Sequence, residues 1–191
     1  VIRKLTPAGA VTTLAGKPGI SGSSDGSGTA ATFHSPRGIT YDPLLQSLFV
    51  ADTENHVIRR ITLAGKVTTY AGSPGVPGDA PGLGIKARLK YPIGITSDGR
   101  GALYFTTSGL WQINPTGYTF PLIKAGEYAP SGAYSGIDYD SQKDRLFVTQ
   151  PDHHLISEIF LTDAGTATES SFSLQRQAPA GTENLLPGHY L

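Results

Sequence analysis

Three stretches of the chain share one pattern of apolar and polar positions. They are SLFVADTENHVIRRI from Ser47, ALYFTTSGLWQI from Ala102 and RLFVTQPDHHLISEI from Arg145. Each has a short apolar run, a polar turn and a second run that ends in isoleucine, which predicts two strands joined by a turn. The middle stretch is three residues shorter in its turn. Because the first runs are apolar at successive positions, both faces of each sheet are expected to be covered.

An ungapped repeat at an offset of 56 residues sets the larger organisation of the chain. VIRKLTPAGAVTTLAG from Val1 and VIRRITLAGKVTTYAG from Val57 have eleven identical residues in sixteen. The match continues from Ala15 and Ala71 through a glycine-rich loop to the GIT that each copy contains. Self-similarity at such a period predicts repeated supersecondary units.

Each unit is predicted to hold four short strands. In the best copy the strands are expected near 38–41, 48–51, 57–62 and 67–71. A tight turn with Gly65 at positive φ is predicted to join the last two strands into a hairpin, and similar turns are predicted at 7–9 and 163–165.

Four-stranded antiparallel units of 40 to 56 residues, covered on both faces by copies of themselves, predict an all-β fold of the β-propeller type. A β-solenoid, with shorter repeats and no hairpins, is less favoured. The predicted parts are half a blade at 1–16, blades at 33–72, 89–126 and 134–168, and a tail at 169–191. In that tail Pro187 and Gly188 resemble the entry to another blade.

About three and a half blades are therefore expected, all in one propeller domain. An array of this size would leave strand edges and apolar blade faces open. We expect the chain to be a fragment of a longer protein, its open ends covered by further blades or by another protomer.

The stretch SPRGITYDPLLQSLFVADTENHVIRRITLAGKVTTYAG from Ser35 resembles the unit of NHL-repeat β-propellers, PxGIAxDxxGNLYVADxxNHRIRKI followed by GxVxTxAG. Asn55, His56 and Val57 stand at the position that names the family. The resemblance covers roughly 1–168 and weakens in the later copies. It implies radially arranged four-stranded antiparallel blades, in a family that includes RNA-binding members and a lyase that uses a bound metal.

Composition narrows the function classes. The 191 residues have a formal net charge of zero, with 16% charged residues and no cysteine. That balance does not favour nucleic-acid binding, which needs a basic surface. No apolar run is long enough to span a bilayer, so membrane insertion is not expected.

Asp52, Asn55 and His56 form the most conspicuous polar cluster. An Asp and an Asn that flank a tight turn commonly bond their own backbone, so a structural turn is predicted here. The corresponding residues of the last copy, near Gln150 and His154, keep the polarity but change identity.

No metal, cofactor or catalytic site is predicted. The histidines lack ligand spacing beside a carboxylate; they are His34, His56, His153, His154 and His189. No serine nucleophile on a strand-to-helix elbow is predicted. GISGSSDGSG from Gly19 lacks the Lys-Ser/Thr of a phosphate-binding loop and is interpreted as an interblade crossover.

Two further groups bear on partners. Arg59 and Arg60 repeat Arg3 and Lys4 and would suit a basic RNA-binding face, but Ser157 and Glu158 occupy their positions in the last copy. Arg37, Arg88, Tyr91 and Trp111 lie near strand ends and crossovers, where aromatic and Arg side chains often anchor partners. For Trp111, packing between blades is the favoured alternative.

These observations favour a non-catalytic interaction or scaffolding module that binds a protein or glycan, in a larger extracellular or cell-surface protein. One alternative is a structural subunit of a fibre or ring assembled through open blade ends. The other is a propeller enzyme with a central-channel site completed by missing blades. Fold alone does not decide among them.

Overall fold

A computed structural model describes residues 1–123, 134–161 and 167–172, the last six as backbone only. In this part of the chain short β-strands alternate with tight turns. The strands are β1 (Ile2–Leu5), β2 (Val11–Ala15), β3 (Gly26–Ser27), β4 (Pro36–Asp42), β5 (Ser47–Asp52), β6 (Val57–Thr62), β7 (Lys66–Ala71), β8 (Gly82–Leu83), β9 (Ile95–Ser97), β10 (Leu103–Thr106), β11 (Leu110–Ile113), β12 (Tyr118–Ile123), β13 (Ile137–Asp140), β14 (Arg145–Gln150), β15 (Leu155–Leu161) and β16 (Ala167–Phe172).

The strands form four antiparallel sheets in chain order. Sheet I is β1-β2, sheet II is β3-β7-β6-β5-β4, sheet III is β8-β12-β11-β10-β9, and sheet IV is β13-β14-β15-β16. Sheets I and IV are meanders, and so are the last four strands of sheets II and III; β3 and β8 instead pair with β7 and β12, at the opposite edge from the strand that follows them in the chain. Sheets II and III differ from the predicted four strands, because each crossover adds a two-residue strand to the outer edge.

The turn between the third and fourth strands of a sheet recurs as predicted around Gly65. Its φ is +83°, and the Gly65 N–H donates to the Thr62 carbonyl at 2.8 Å. Gly9 and Gly117 occupy the same place in sheets I and III, with φ of +80° and +83°. A residue with a Cβ is disfavoured at such angles, so glycine fixes this hairpin in three successive units. The counterpart at 163–165 lies outside the described residues.

Apolar clusters between the sheets hold the fold together. The face that a sheet turns toward the preceding sheet is called its leading face, and the face turned toward the following sheet is called its trailing face. The trailing face of sheet II meets the leading face of sheet III in a cluster that includes Phe49, Ile58, Leu103 and Ile113. A second cluster joins sheets III and IV, and a third joins sheets I and II.

The first strands of sheets II, III and IV converge on one side of the array. β9 lies next to both β4 and β13. A Cβ added at Gly38 would lie 2.5 Å from the Ile93 carbonyl oxygen, and one at Gly94 would lie 2.3 Å from that of Ser135. Glycine therefore allows the close approach of these strands. Face-to-face packing with converging first strands is the arrangement of propeller blades.

The tail at 173–191, including Pro187 and Gly188, lies outside the described residues, as do 124–126 and 162–166 of two predicted blades. Sheet IV continues to Phe172, beyond the end expected at 168. No described helical turn exceeds three residues, and none could cross a membrane.

Candidate functional site

The turn between β5 and β6 holds the polar cluster that the sequence singles out. Residues Thr53–Asn55 form one turn of 3-10 helix, and His56 ends it in the left-handed conformation at φ of +60°. Asp52, Asn55 and His56 are all buried. They therefore face protein rather than solvent.

Asp52 joins the turn to the preceding crossover. Its Oδ1 accepts a hydrogen bond from the His34 N–H at 2.7 Å, and its Oδ2 accepts from Asn55 Nδ2 at 2.8 Å. The prediction that these side chains bond their own backbone is wrong, because Asp52 bonds the crossover and Asn55 Nδ2 donates to the Gly22 carbonyl at 2.7 Å. Their contacts remain those of a structural turn.

Arg59 is fully buried and completes this network. Its Nη1 lies 3.0 Å from Asp52 Oδ2, and its Nη2 lies 2.9 Å from Asp25 Oδ1. The two terminal nitrogens also donate to the carbonyls of Thr32 and Ser24. Burial raises the pKa of Asp52, while hydrogen bonds from Asn55 and His34 and the charge of Arg59 lower it.

RNA binding through Arg59, which the sequence did not favour, finds no support in this geometry, because a guanidinium enclosed by two carboxylates and two carbonyls presents no charge to a partner. Arg60 is partly buried, and it donates to Ser47 Oγ and to the Leu45 carbonyl. Arg59 therefore holds β6 to the preceding crossover, and Arg60 holds β6 to Ser47 and Leu45.

Other groups of the same turn reach forward to the next sheet. Thr53 Oγ1 donates to the Pro92 carbonyl at 2.7 Å. The Tyr91 N–H donates to His56 Nδ1 at 3.3 Å, and the two rings meet edge to face at 4.5 Å between centroids. The turn thus ties sheet II to the crossovers on both of its sides.

The position of Arg59 is filled differently in sheets III and IV. Trp111 occupies it in sheet III, is 3% exposed, and lies between sheets II and III beside Phe105. Partner binding by Trp111 is excluded by this burial, and packing between blades is its role. In sheet IV, Ser157 and Gln150 replace Arg59 and Asp52, and their buried side chains have no hydrogen-bond partner among the residues that the structure describes.

A cleft of about 170 Å³ opens where sheet III has its shortened turn; it is lined by Lys90, Tyr91, Ile93, Thr107 and Ser108 and is called the Tyr91 cleft below. In sheet II the longer turn contacts the corresponding crossover, since the Glu54 N–H donates to the His34 carbonyl. Lys90 is the repeat counterpart of His34. The shorter turn leaves that space open.

Hydrogen bonds from backbone N–H groups hold the walls of the Tyr91 cleft in place. The Ile93 N–H donates to the Thr106 carbonyl, and Thr107 Oγ1 accepts from the Gly109 N–H at 3.1 Å. Lys90, Tyr91 and Ser108 are exposed. Among the described residues, none forms a hydrogen bond or ion pair with the Lys90 ammonium or with the hydroxyls of Tyr91 and Ser108. Sequence reasoning found Tyr91, but it missed Lys90, Thr107 and Ser108; the three-residue deletion was the available signal.

The two remaining predicted partner residues differ in their surroundings. Arg37 is exposed, and it precedes Gly38 at the close approach to Ile93. Arg88 is half-buried, and its Nη1 lies within hydrogen-bond distance of the carbonyls of Ile85, Lys86 and Ala87. Arg88 therefore braces its own crossover, whereas Arg37 is turned to solvent.

Within the ranges that the structure describes, no three His, Asp or Glu side chains gather in a group that could hold a metal ion. His34 and His154 are exposed and His56 is buried. His189 lies outside the described residues, and so does the side chain of His153.

Comparison with known proteins gives partial matches in sequence. The chain is 40% identical over 89 residues to human NHL repeat-containing protein 2, which covers 46% of this chain and 11% of that protein. It is 39% identical over 80 residues to Protein SUPPRESSOR OF QUENCHING 1, chloroplastic, of Arabidopsis thaliana, covering 40% and 8%. The chain spans about a tenth of the length of these relatives. No protein-family model matches it.

Solved propellers share the fold. A virginiamycin B lyase from Staphylococcus aureus, solved with quinupristin, superposes with a TM-score of 0.60 at 19% identity, over 92% of this chain and 49% of the lyase. A chain of the nidogen/laminin complex superposes with a TM-score of 0.55 at 18% identity, over 74% and 49%. The predicted all-β propeller and its resemblance to NHL-repeat proteins are confirmed.

Proposed function

We propose that this chain is a non-catalytic interaction module that binds an acidic segment of a protein partner at the Tyr91 cleft. The observation that carries the proposal is the cleft itself. It is the place where the repeat loses three residues and where an exposed cation, an exposed aromatic ring and two hydroxyl-bearing residues meet. Interfaces draw much of their affinity from such aromatic and cationic anchors.

The chemistry of the lining favours a carboxylate ligand. The Lys90 ammonium supplies a positive charge, and the hydroxyls of Tyr91 and Ser108 can donate hydrogen bonds to the same group. Hydrogen bonds that involve an ionised partner are about twice as strong as neutral ones. An Asp or Glu side chain fits this set better than a neutral sugar does.

The cleft is held in shape before any ligand arrives. Tyr91 is fixed by its N–H bond to His56 and by the edge-to-face contact of the rings. Thr53 holds Pro92 from the other side. A site that is already ordered loses less conformational entropy on binding, which favours affinity.

We propose that the module is non-catalytic. The contacts of Asp52, Arg59 and His56 support this part of the proposal. Asp52 and Arg59 pair with each other in the interior, and His56 accepts from Tyr91. Catalytic acids and bases need contact with a substrate. These three side chains are instead used to join the turn to its neighbours.

The test is calorimetric titration of the 191-residue chain with a capped peptide of glutamates and glycines. The same peptide with glutamine in place of glutamate is the ligand control. We expect binding of the first peptide only, weakened by salt because the contact is between charges. Lys90→Gln should lower the affinity by about tenfold, which corresponds to about 1.4 kcal/mol.

Lys86→Gln is the matched protein control, since Lys86 is also an exposed lysine, on the crossover outside the cleft. It should bind the acidic peptide as the unmodified chain does. Equal loss of affinity in both variants would mean attraction by overall charge, and equal binding of the two peptides would mean that charge is not recognised. Either result rejects the proposal.

A further inference from the structure

The turn between β5 and β6 holds one residue of the preceding crossover by two hydrogen bonds. The His34 N–H donates to Asp52 Oδ1 at 2.7 Å, and the His34 carbonyl accepts from the Glu54 N–H at 3.1 Å. The two partners stand two positions apart in the turn, so one short segment satisfies both backbone groups of His34. This place in the fold therefore accepts a carboxylate and, two residues later, a backbone N–H.

Lys90 is the counterpart of His34 in the crossover before sheet III. In both crossovers the preceding residue accepts through its carbonyl from a glycine N–H, and the pairs are Phe33 with Gly22 and Leu89 with Gly78. Lys90 nevertheless differs from His34, because neither its backbone N–H nor its carbonyl forms a hydrogen bond with any residue that the structure describes.

The shortened turn of sheet III explains this difference. Thr107 stands at the position of Asp52, and its hydroxyl accepts from the Gly109 N–H of its own turn. Ser108 alone replaces residues 53–56. Sheet III thus lacks both the carboxylate and the N–H that would hold Lys90.

We propose that the ligand of the Tyr91 cleft is a turn segment that supplies these two groups. Its acidic side chain accepts from the Lys90 N–H and, two residues further along, its backbone N–H donates to the Lys90 carbonyl. The segment takes in sheet III the place that residues 52–54 take in sheet II. This inference rests on the proposed function, since it specifies which acidic segment binds the same cleft.

The geometry of sheet II favours a turned ligand over an extended one. Asp52 precedes a turn of 3-10 helix, which brings its carboxylate and the Glu54 N–H to the same residue of the crossover. Lys90 and Ser108 are exposed, so a segment of another chain can approach this place. We therefore expect a turn-forming acidic sequence to bind better than a run of glutamates.

The probe is a capped peptide that copies residues 51–56, Ala-Asp-Thr-Glu-Asn-His. Methylation of the backbone nitrogen that copies Glu54 removes the N–H that the proposal requires. Methylation of the nitrogen that copies Thr53 is the matched control, because within the described part of the chain the Thr53 N–H forms no hydrogen bond. The two methylated peptides have the same charge.

Calorimetric titration of the 191-residue chain compares these peptides. Loss of one hydrogen bond should make the peptide methylated at the Glu54 position bind about fivefold more weakly than the one methylated at the Thr53 position. Asparagine in place of the aspartate that copies Asp52 should weaken binding by at least as much, since that bond involves a charged acceptor. The comparison uses the unmodified chain and needs no variant to fold.

Two protein variants separate this inference from the proposed function. Lys90→Gln removes the ammonium but keeps the backbone groups, so it should weaken every acidic peptide and preserve the ratio between the methylated pair. The second variant combines Thr107→Asp with replacement of Ser108 by Thr-Glu-Asn-His, which builds the turn of sheet II into sheet III. This chain should fill its own cleft and lose peptide binding, with thermal unfolding no lower than that of the unmodified chain.

The outcomes distinguish the two proposals. Equal affinities of the methylated peptides would overturn this inference, whereas the proposed function stands if the glutamate peptide still binds and responds to Lys90→Gln. Failure of every acidic peptide to bind would reject both. Undiminished peptide binding by a folded chain that carries the added turn would also overturn the inference, because its cleft would already be filled.

Discussion

The Arg59 guanidinium lies 3.0 Å from the Asp52 carboxylate, and neither side chain is exposed to solvent. The pair sits where the second and third strands of sheet II meet the crossover that precedes them. Asp25, on that crossover, holds the other side of the same guanidinium. Arg59 thereby holds Ser24 and Asp25, which lie more than thirty positions before it in the chain, against the turn between β5 and β6.

Removing the Asp52 charge should destabilise the fold strongly. Asp52→Asn leaves Arg59 buried with half-exposed Asp25 as its only carboxylate, and breaking a buried ion pair from one side costs about 3 to 5 kcal/mol. Urea unfolding should show this loss, while Asp79→Asn, at an exposed position, should change little. A loss below about 1 kcal/mol for Asp52→Asn would mean that the network is not structural.

Crowding between the converging first strands should make Gly38 intolerant of substitution. The Cβ of Gly38→Ala would lie 2.5 Å from the Ile93 carbonyl oxygen, and relief of such overlap costs about 1 to 3 kcal/mol. Gly136→Ala is the matched control, because its Cβ would meet only the Thr149 side chain at 3.0 Å. Equal stability of the two variants would contradict this packing.

Alkaline pH should show that the protonated Tyr139 side chain stabilises the folded state. Burial, together with the hydrogen bond from the Tyr139 hydroxyl to Asp144, raises its pKa from 10.0 to about 12. The folded state keeps this proton where the unfolded chain loses it, so the stabilisation is complete below pH 10 and is lost as pH rises through about 12. Tyr139→Phe should therefore lose less stability over that interval, as measured by urea unfolding at several pH values. An identical decline in the variant would refute the assignment.

The aromatic ring of Tyr91 should contribute to binding more than its hydroxyl does. Tyr91→Ala removes the ring that lines the cleft and contacts His56, and loss of an anchor residue of this kind costs about 1 to 2 kcal/mol of binding free energy. Tyr91→Phe keeps the ring and should lose less. Titration with the glutamate peptide distinguishes them, and a larger loss for Tyr91→Phe would reject this division of roles.

The regular elements could be predicted from sequence because they depend on local pattern. Alternation of apolar runs with turns located the strands of sheet II to within two residues, and Gly65 marked its hairpin. The extra edge strands β3 and β8 were not predicted because each has only two residues. Each forms by pairing with a strand that is distant in the chain, so no local pattern marks it.

The interior of the site depended on contacts that no local pattern encodes. From the sequence alone Arg59 is expected to be a surface cation. Only the fold brings Asp25 and Asp52 to both sides of its guanidinium. For Trp111 the sequence allows an anchor or a core residue and favours packing between blades, and the packing of sheets II and III shows that it belongs to the core. The Tyr91 cleft was signalled by a shorter turn, but the residues that line it are brought together by the fold.

The most direct test of the account is a map of backbone amide chemical shifts during titration with the glutamate peptide. We predict that the largest changes fall on the Tyr91 cleft, at Lys90, Tyr91, Ile93 and residues 107–109, and that they vanish with the glutamine peptide. Changes centred instead on the first strands β4, β9 and β13, with the cleft unaffected, would contradict it.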